Sequence, residues 1–328
     1  MNGKRSGAWI VSLFLGFSMI FFCWPPAWAA DEPYPNRPVS IIIPYTPGGT
    51  LDTHAKLLGD KLAEVLGQPF INMHKPGGGG TLGISFTARA KPDGYTIVTG
   101  TTSALAFTPV VKKVDYSLED FIPLGMYCKG AIHFFVRADS QYKTIQDFVM
   151  EGKNRAEPLK VSSFGKLTPA DFVLEMFSKQ AGIKLAHVPY KSSTEAGTAL
   201  LGGHVEGAFV TSSMGQMESG TFRLLAIADH ERSRVFPDGK TFKELGYPIA
   251  LPIWYSLCVQ QKAPKKIVDI LANGMQEVYK RHGKEIAEAL IRIEFSPNFL
   301  DSKQSILEYK KDYETIVAMA KQLGIEAK

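Results

Sequence analysis

Val39-Ser40-Ile41-Ile42-Ile43-Pro44-Tyr45-Thr46-Pro47-Gly48-Gly49 is a β-branched apolar run closed by a proline–glycine turn, the pattern of a strand buried on both faces in a parallel sheet. A helix follows it. Leu51, Ala55, Leu58, Leu62 and Val65 share one helical face, with Thr50 or Asp52 as N-cap and Gly67 as stop. The unit then repeats: Pro69 to His74 reads as a strand, Pro76 to Gly80 as a glycine turn, and Thr81 to Ala90 as a helix. After the turn Pro92-Asp93-Gly94, Tyr95 to Thr99 reads as a third strand leading to Thr101-Thr102-Ser103. Strand, turn, helix and strand in this order define an α/β class with a largely parallel sheet.

The middle of the chain continues the pattern. Leu159 to Ser163 and Leu185 to Pro189 read as strands, and Asp171 to Gln180 as the helix between them, with Phe172, Met176 and Phe177 inward. Val205 to Val210 and Phe222 to Ala228 add two strands. After Trp254 three helices are expected: Ile267 to Tyr279, Glu285 to Ile293, and Ser302 to Leu323, the last turning Ile306, Tyr309, Tyr313, Ile316, Val317 and Ala320 to one side. No low-complexity linker divides the chain, so two lobes joined by crossing strands fit better than two successive domains. The crossings are expected near residues 124–136 and 253–259.

The 328 residues amount to about two domains' worth. With 45% apolar and 21% charged residues, the composition excludes disorder, a collagen and a polytopic membrane protein. Residues 1–29 read as a signal peptide: Lys4 and Arg5 precede the apolar stretch Trp9 to Trp24, and Ala27-Trp28-Ala29 is the small-x-small cleavage site. Pro25-Pro26 breaks the stretch short of the roughly 20 residues that span a bilayer. Ile20-Phe21-Phe22 lacks the small residues expected before a lipidated cysteine at Cys23. Removing this leader lowers the formal charge from +5 to +3, which with no basic, aromatic-interleaved run argues against nucleic acid as a partner. Export places the mature protein in a bacterial periplasm. There Cys128 and Cys258 could form one bridge or remain two buried thiols, and spacing leaves both open.

The glycine loops carry the chemistry, because glycine lets backbone approach a ligand and a helix N-terminus offers free N–H groups to an anion. Gly78-x-Gly80-x-x-Gly83 matches a dinucleotide fingerprint, but the next strand ends at Thr99-Gly100-Thr101 without the carboxylate that a ribose requires. No Gly-Lys-Ser or Gly-Lys-Thr ends either loop, which excludes a P-loop. No two of the seven histidines lie closer than 17 residues, and no close cysteine pair exists, so neither metal nor cofactor is expected. A serine hydrolase using Ser212 or Ser213 lacks both G-x-S-x-G and a recognisable base. The remaining tips, Ser162 to Thr168, Tyr190 to Ser193 and Thr211 to Ser213, lie at strand carboxyl ends, where open α/β sheets bind ligands. Two helix termini at roughly 0.3–2 kcal/mol each and a few charge-assisted hydrogen bonds at roughly 1.5–3 reach the roughly 8 kcal/mol of micromolar binding.

With these residues placed, the chain resembles the solute receptors of tripartite tricarboxylate transporters, the Bug family. The likeness runs through Tyr34-Pro35-x-Arg37-Pro38, Pro44-Tyr45-x-Pro47-Gly48-Gly49-x-x-Asp52, Leu66-Gly67-Gln68-Pro69, Lys75-Pro76-Gly77-Gly78-Gly79-Gly80, Pro92-Asp93-Gly94-Tyr95, Asp120-Phe121-x-Pro123, His187-Val188-Pro189-Tyr190-Lys191 and Leu201-Gly202-Gly203. It implies a two-lobed, type II-like periplasmic binding fold of mostly parallel sheets flanked by helices, with the ligand cleft between the lobes. Lobe one would be residues 30–130 plus 254–328, and lobe two 131–253. It further implies a receptor that is not an enzyme, binds a small carboxylate and hands it to a two-component membrane permease, and we expect a monomer. The ligand would be held by Tyr45, Pro47, Gly48, Gly49, Asp52, Gly78, Gly79, Gly80 and Thr81. The tips Thr101, Thr102, Ser103, Ser163, Phe164, Lys166, Thr168, Tyr190, Thr211 and Ser212 complete the expected site. The chain departs from the family at Ser163-Phe164-Gly165-Lys166-Leu167-Thr168-Pro169, with Asp171 at a usual His position, and Lys166 is expected to supply a cation for a second acidic group. The rival readings are a secreted hydrolase and a sensory protein docking to a signalling membrane protein.

Overall fold

A computed structural model of the chain describes residues 33–325 except 46, 48, 49 and 212–218. The signal-peptide reading, Gly48, Gly49, and the serines Ser212 and Ser213 lie outside the described residues. Strand β1 (Val39–Ile43) is almost wholly buried, and helix α1 (Thr50–Leu66) covers one of its faces with Leu51, Ala55, Leu58 and Leu62. Beside β1 lie β2 (Phe70–His74) and β3 (Thr96–Thr101), both parallel to it. The sheet continues antiparallel through β10 (Ile253–Gln260), β4 (Phe121–Gly130) and β11 (Ser296–Asp301).

The second sheet has the order β7 (Leu185–Pro189), β6 (Leu159–Ser163), β8 (Gly207–Val210), β5 (His133–Arg137) and β9 (Phe222–Ile227). Its β7, β6 and β8 are parallel, while β5 runs antiparallel to β8 and β9. The α/β class therefore holds, but both sheets are mixed rather than mostly parallel. A chain that leaves one sheet and later returns must run in opposite directions on its two passages, so β4 and β10 lie side by side antiparallel. The apolar run Pro123 to Val136 is two strands in different sheets, parted at Ala131-Ile132. There Ala228 N–H donates to Ile132 O at 2.8 Å and Leu251 N–H to Ala228 O at 3.1 Å, binding the outward and returning segments together.

Helices α2 (Thr81–Arg89), α3 (Thr108–Val111), α4 (Ile145–Asn154), α5 (Pro169–Ala181), α6 (Ser193–Leu201), α7 (Lys265–Arg292) and α8 (Ser302–Gln322) flank the sheets. The two helices expected between Ile267 and Ile293 are one, α7. The polar stretch Arg281 to Lys284 does not break it; there His282 reaches Glu64 of α1 at 3.3 Å. On α8, Tyr309, Ile316 and Ala320 are buried as expected, whereas Ile306 is exposed. The second sheet packs on an aromatic core in which Phe134 and Phe209 stack at 4.5 Å beside Phe177 and Phe242. Each such ring contributes roughly 1.5–3 kcal/mol by leaving water. Cys128 and Cys258 are both free and buried, in core clusters on opposite faces of the first sheet, so their side chains diverge and no bridge can form. No helix among the described residues is long and apolar enough to cross a membrane.

Candidate functional site

The carboxyl ends of β1 and β3 and the start of β10 face those of β6 and β8 across a cavity of about 280 Å³. Tyr45, Asp52, Thr101 and Ser103 line it from one side, Phe164 and Thr211 from the other, and Ile43, Leu51, Ile253 and Tyr255 supply apolar wall. A second cavity of about 320 Å³ shares Tyr45, Ser103 and Phe164 with the first and continues along Gly78, Gly79, Thr108, Lys112, Thr168, Lys191, Ser192 and Ser193. The two are an inner and an outer chamber of one cleft.

The glycine run builds one wall through its backbone. Gly77, Gly78, Gly79 and Gly80 all have positive φ, a sequence of conformations that side-chain-bearing residues resist. Their turn brings the chain under Tyr45, whose hydroxyl lies 3.5 Å from Gly79 O, and α2 starts directly afterwards. Gly83 serves packing instead: a Cβ there would sit 2.7 Å from Pro44 Cα, so α2 rests on the end of β1 only because the position is glycine. Burial pushes the Tyr45 phenol above its ordinary pKa against the opposing pull of Thr101, so it is a neutral donor toward the cavity. A π-turn at Ser103–Phe107, held by Thr108 Oγ1 donating to Ser103 O at 2.8 Å, carries the chain from β3 into α3 and swings Lys112 to the outer chamber.

Not every expected residue is where the sequence suggested. Asp52 lines the inner chamber, but it lies inside the first turn of α1 rather than at its cap, and its Oδ1 accepts from Asn72 Nδ2 and His74 Nε2 at 3.0 Å each. Thr102 is buried elsewhere: its hydroxyl donates to Asp312 at 3.2 Å and accepts from Trp254 N–H at 3.0 Å. Thr81 Oγ1 donates to Gly78 O and faces the outer groove of α2. Tyr190 lines a groove beside α6, and Pro47 is exposed outside both chambers. Gly80 is buried behind Tyr45. Lys166 lines neither chamber, and its ammonium is 3.2 Å from Asp171 and 3.4 Å from Glu175, the carboxylates that α5 places beside it.

Ser163, His187 and Asp171 form a line that no sequence motif announces. Ser163 Oγ is 2.7 Å from His187 Nε2, and His187 Nδ1 lies 2.8 Å from Asp171 Oδ1 without the geometry of a directed hydrogen bond. The distances resemble a hydrolytic triad, but a nucleophile must reach its substrate, and Ser163 is fully buried with its hydroxyl also on Gly165 N and O. The line is a clamp for the 163–171 loop. Although burial raises the Asp171 pKa, His187, the Leu167 N–H and Lys166 together hold it below the ordinary carboxylate value. Replacing His187 by Ala leaves Asp171 and Ser163 short of a partner in a buried site and is expected to cost about 2 kcal/mol. Urea unfolding of His187→Ala measures it, and an unchanged midpoint would mean that the clamp carries no load.

Residues 55–323 match the family model described as "Tripartite tricarboxylate transporter family receptor". The chain belongs to this family. Receptors of this kind bind solutes and are not enzymes, so the hydrolase expectation is set aside. BugT of Bordetella pertussis is 30% identical over 79% of this chain and 80% of its own. A solved structure of a periplasmic transporter is 30% identical, with a TM-score of 0.77 over 89% of this chain and 99% of that one. An R. palustris protein solved with adipate shares the fold at 23% identity, with a TM-score of 0.77 over 89% of this chain and 99% of that one.

Proposed function

We propose that the receptor captures a small organic carboxylate in the inner chamber and delivers it to a two-component membrane permease. Residues 30–130 with 254–328 form one lobe and 131–253 the other, and they close by bending near 131–132 and 228–251. The chain acts in the periplasm after loss of residues 1–29. The observation that supports this best is the inner chamber itself. It lies between two sheets and is lined by the neutral donors Tyr45, Thr101, Ser103 and Thr211. Ser103 Oγ has no partner among the described residues and remains free for a ligand. A chamber of about 280 Å³ suits a small acid rather than a drug-sized molecule. The adipate held by the R. palustris protein of the same fold names a first compound to try.

Trp254, the sole tryptophan after processing, opens β10 on the returning passage and is buried, so closure should alter its emission. Titrating the processed protein with mono-, di- and tricarboxylates and aromatic acids is expected to give saturable Trp254 changes and a thermal shift for one acid class. Silence in both signals across the panel would refute the carboxylate reading.

A further inference from the structure

We infer that Asp171, Glu175 and His187 form a binding site for one divalent transition-metal ion of the zinc class, with the Lys166 ammonium holding the same position in the ion-free protein. The three residues line neither chamber, so the site lies behind the cleft wall. α5 sets Asp171 and Glu175 one helical turn apart on one face, and β7 brings His187 against them. The ligands come from a helix and a strand, so no spacing in the sequence announces them. One ligand atom from each lies within 4.8 Å of the other two, and no other such group converges among the described residues.

The imidazole sets this cluster apart from an ordinary acidic patch. The His187 side chain is 3% exposed, and its Nδ1 has no hydrogen-bond partner although Asp171 Oδ1 is 2.8 Å away. A hydrogen bond would point Nδ1 straight at that oxygen. Two ligands of one ion point at the ion instead: with both bonds about 2.1 Å long, atoms 2.8 Å apart each aim roughly 48° off the line that joins them. A short contact without an aligned hydrogen bond is therefore the relation expected of two ligands. Outer partners hold both groups in this pose, as they do around bound metals: Leu167 N–H donates to Asp171 Oδ2 at 2.8 Å, leaving Oδ1 inward, and Ser163 Oγ lies 2.7 Å from His187 Nε2, leaving Nδ1.

The charges agree. Lys166 Nζ stands 3.2 Å from Asp171 and 3.4 Å from Glu175, so a cation already sits between the carboxylates, and one ammonium leaves them a negative charge in excess. The Lys166 side chain is 54% exposed and can swing into water, so displacing it costs only a surface ion pair. Other histidines beside carboxylates lack this convergence: His74 pairs with a single carboxylate, and His282 meets Glu64 and Glu285 through different ring nitrogens. An imidazole among the ligands favours zinc over calcium or magnesium, which take oxygen. The ion would tie β7 to α5 and so brace the loop that carries Phe164 and Thr168 to the cleft.

The test titrates ZnCl2, and CaCl2 in parallel, into untagged, EDTA-stripped protein by calorimetry. Wild type should bind one equivalent of Zn2+ saturably and Ca2+ at least about tenfold more weakly, and Zn2+ should raise the thermal midpoint. Lys166→Ala should bind Zn2+ about fivefold more tightly, because no ammonium then competes for the carboxylates. A Lys166 that only braces the loop would give no such gain. Glu175→Gln and His187→Ala should each weaken Zn2+ at least about tenfold, the smallest cost usual even for outer partners at metal sites. Glu64→Gln, at a different histidine–carboxylate contact, should stay within about twofold of wild type. The Glu175 side chain is 44% exposed, so its variant folds and decides the matter if His187→Ala does not. No saturable Zn2+ binding by wild type, equal affinity for Ca2+, weaker Zn2+ binding by Lys166→Ala, or a Glu64→Gln loss as large as that of Glu175→Gln overturns the site. None of these measurements uses a carboxylate ligand, so the metal site and the receptor reading stand or fall separately.

Discussion

Asp312→Asn is expected to make the protein more stable than wild type above pH 8 and to remove a loss of stability that wild type suffers as the pH rises toward that value. Asp312 is buried on α8, and its carboxyl is pushed up to about 8, first by burial and then by the nearby Glu308 charge, against the weaker pull of Thr102 and Lys311. Lys129, the only buried ammonium among the described residues, is taken by Asp229 at 3.1 Å. Asp312 is therefore neutral in the folded protein at pH 7 and ionised in the unfolded chain. Because the folded pKa is the higher one, its contribution is fully present below the unfolded value of about 4 and is lost as pH rises through about 8. Burial holds His54 down to about 3 and His133 to about 4, and these groups act in the opposite sense, adding stability as pH rises toward 6.5. The window from about pH 6.5 to 8 is free of them.

At about 1.4 kcal/mol per pH unit, the difference between Asp312→Asn and wild type should widen by about 2 kcal/mol over that window and stay level above it. Urea unfolding at pH 6.5, 7.2, 8 and 9 reads this directly. Parallel stability curves for the two proteins would show that Asp312 is ionised in the fold. The same residue meets the site through Thr102, whose hydroxyl joins Asp312 to the Trp254 N–H one residue before Ser103.

Gly80→Val should abolish useful binding, with affinity lowered by at least about a hundredfold, roughly 2.7 kcal/mol, while the helical signal is retained. Gly80 has φ +100, and a Cβ built there would meet Tyr45 Oη at 3.0 Å and Cζ at 3.1 Å. A β-branched residue at that φ is strained by about 1–3 kcal/mol. The ring it displaces is common wall to both chambers. Gly79→Asn is the informative contrast: φ +71 and ψ 27 are values that Asn tolerates, and no atom lies within 4 Å of its Cβ. It should stay within about threefold of wild type. Equal damage from both substitutions would mean that the loop acts through backbone freedom and not through the placement of Tyr45.

Local pattern carried much of the architecture. β1 was legible because a strand buried along its length needs a continuous apolar or β-branched run before turn residues, β6 because Leu159 and Val161 alternate with the exposed Lys160, and α1 because its apolar stripe repeats at helical spacing. Helices α4 and α6 were not, since Thr144 and Ser192 cap short polar segments whose burial is decided by the sheet beneath them. Within the site, Tyr45, Thr101, Ser103, Phe164 and Thr211 were readable as strand tips. Lys112 was not: Val110-Val111-Lys112-Lys113 reads as a solvated helix end, and only the π-turn before it redirects the chain.

The sequence by itself determined the α/β class, the two glycine loops and the family, because these follow from short-range spacing and from residues with unusual backbone freedom. Tertiary structure alone decided which charges are spent and which are free. Lys166 looks unpaired as a letter in its loop, yet α5 sets the carboxylates of Asp171 and Glu175 beside its ammonium. It also decided that Asp312 is neutral and that Ser163 is locked, since the pairing and burial of a polar group depend on neighbours brought from distant parts of the chain.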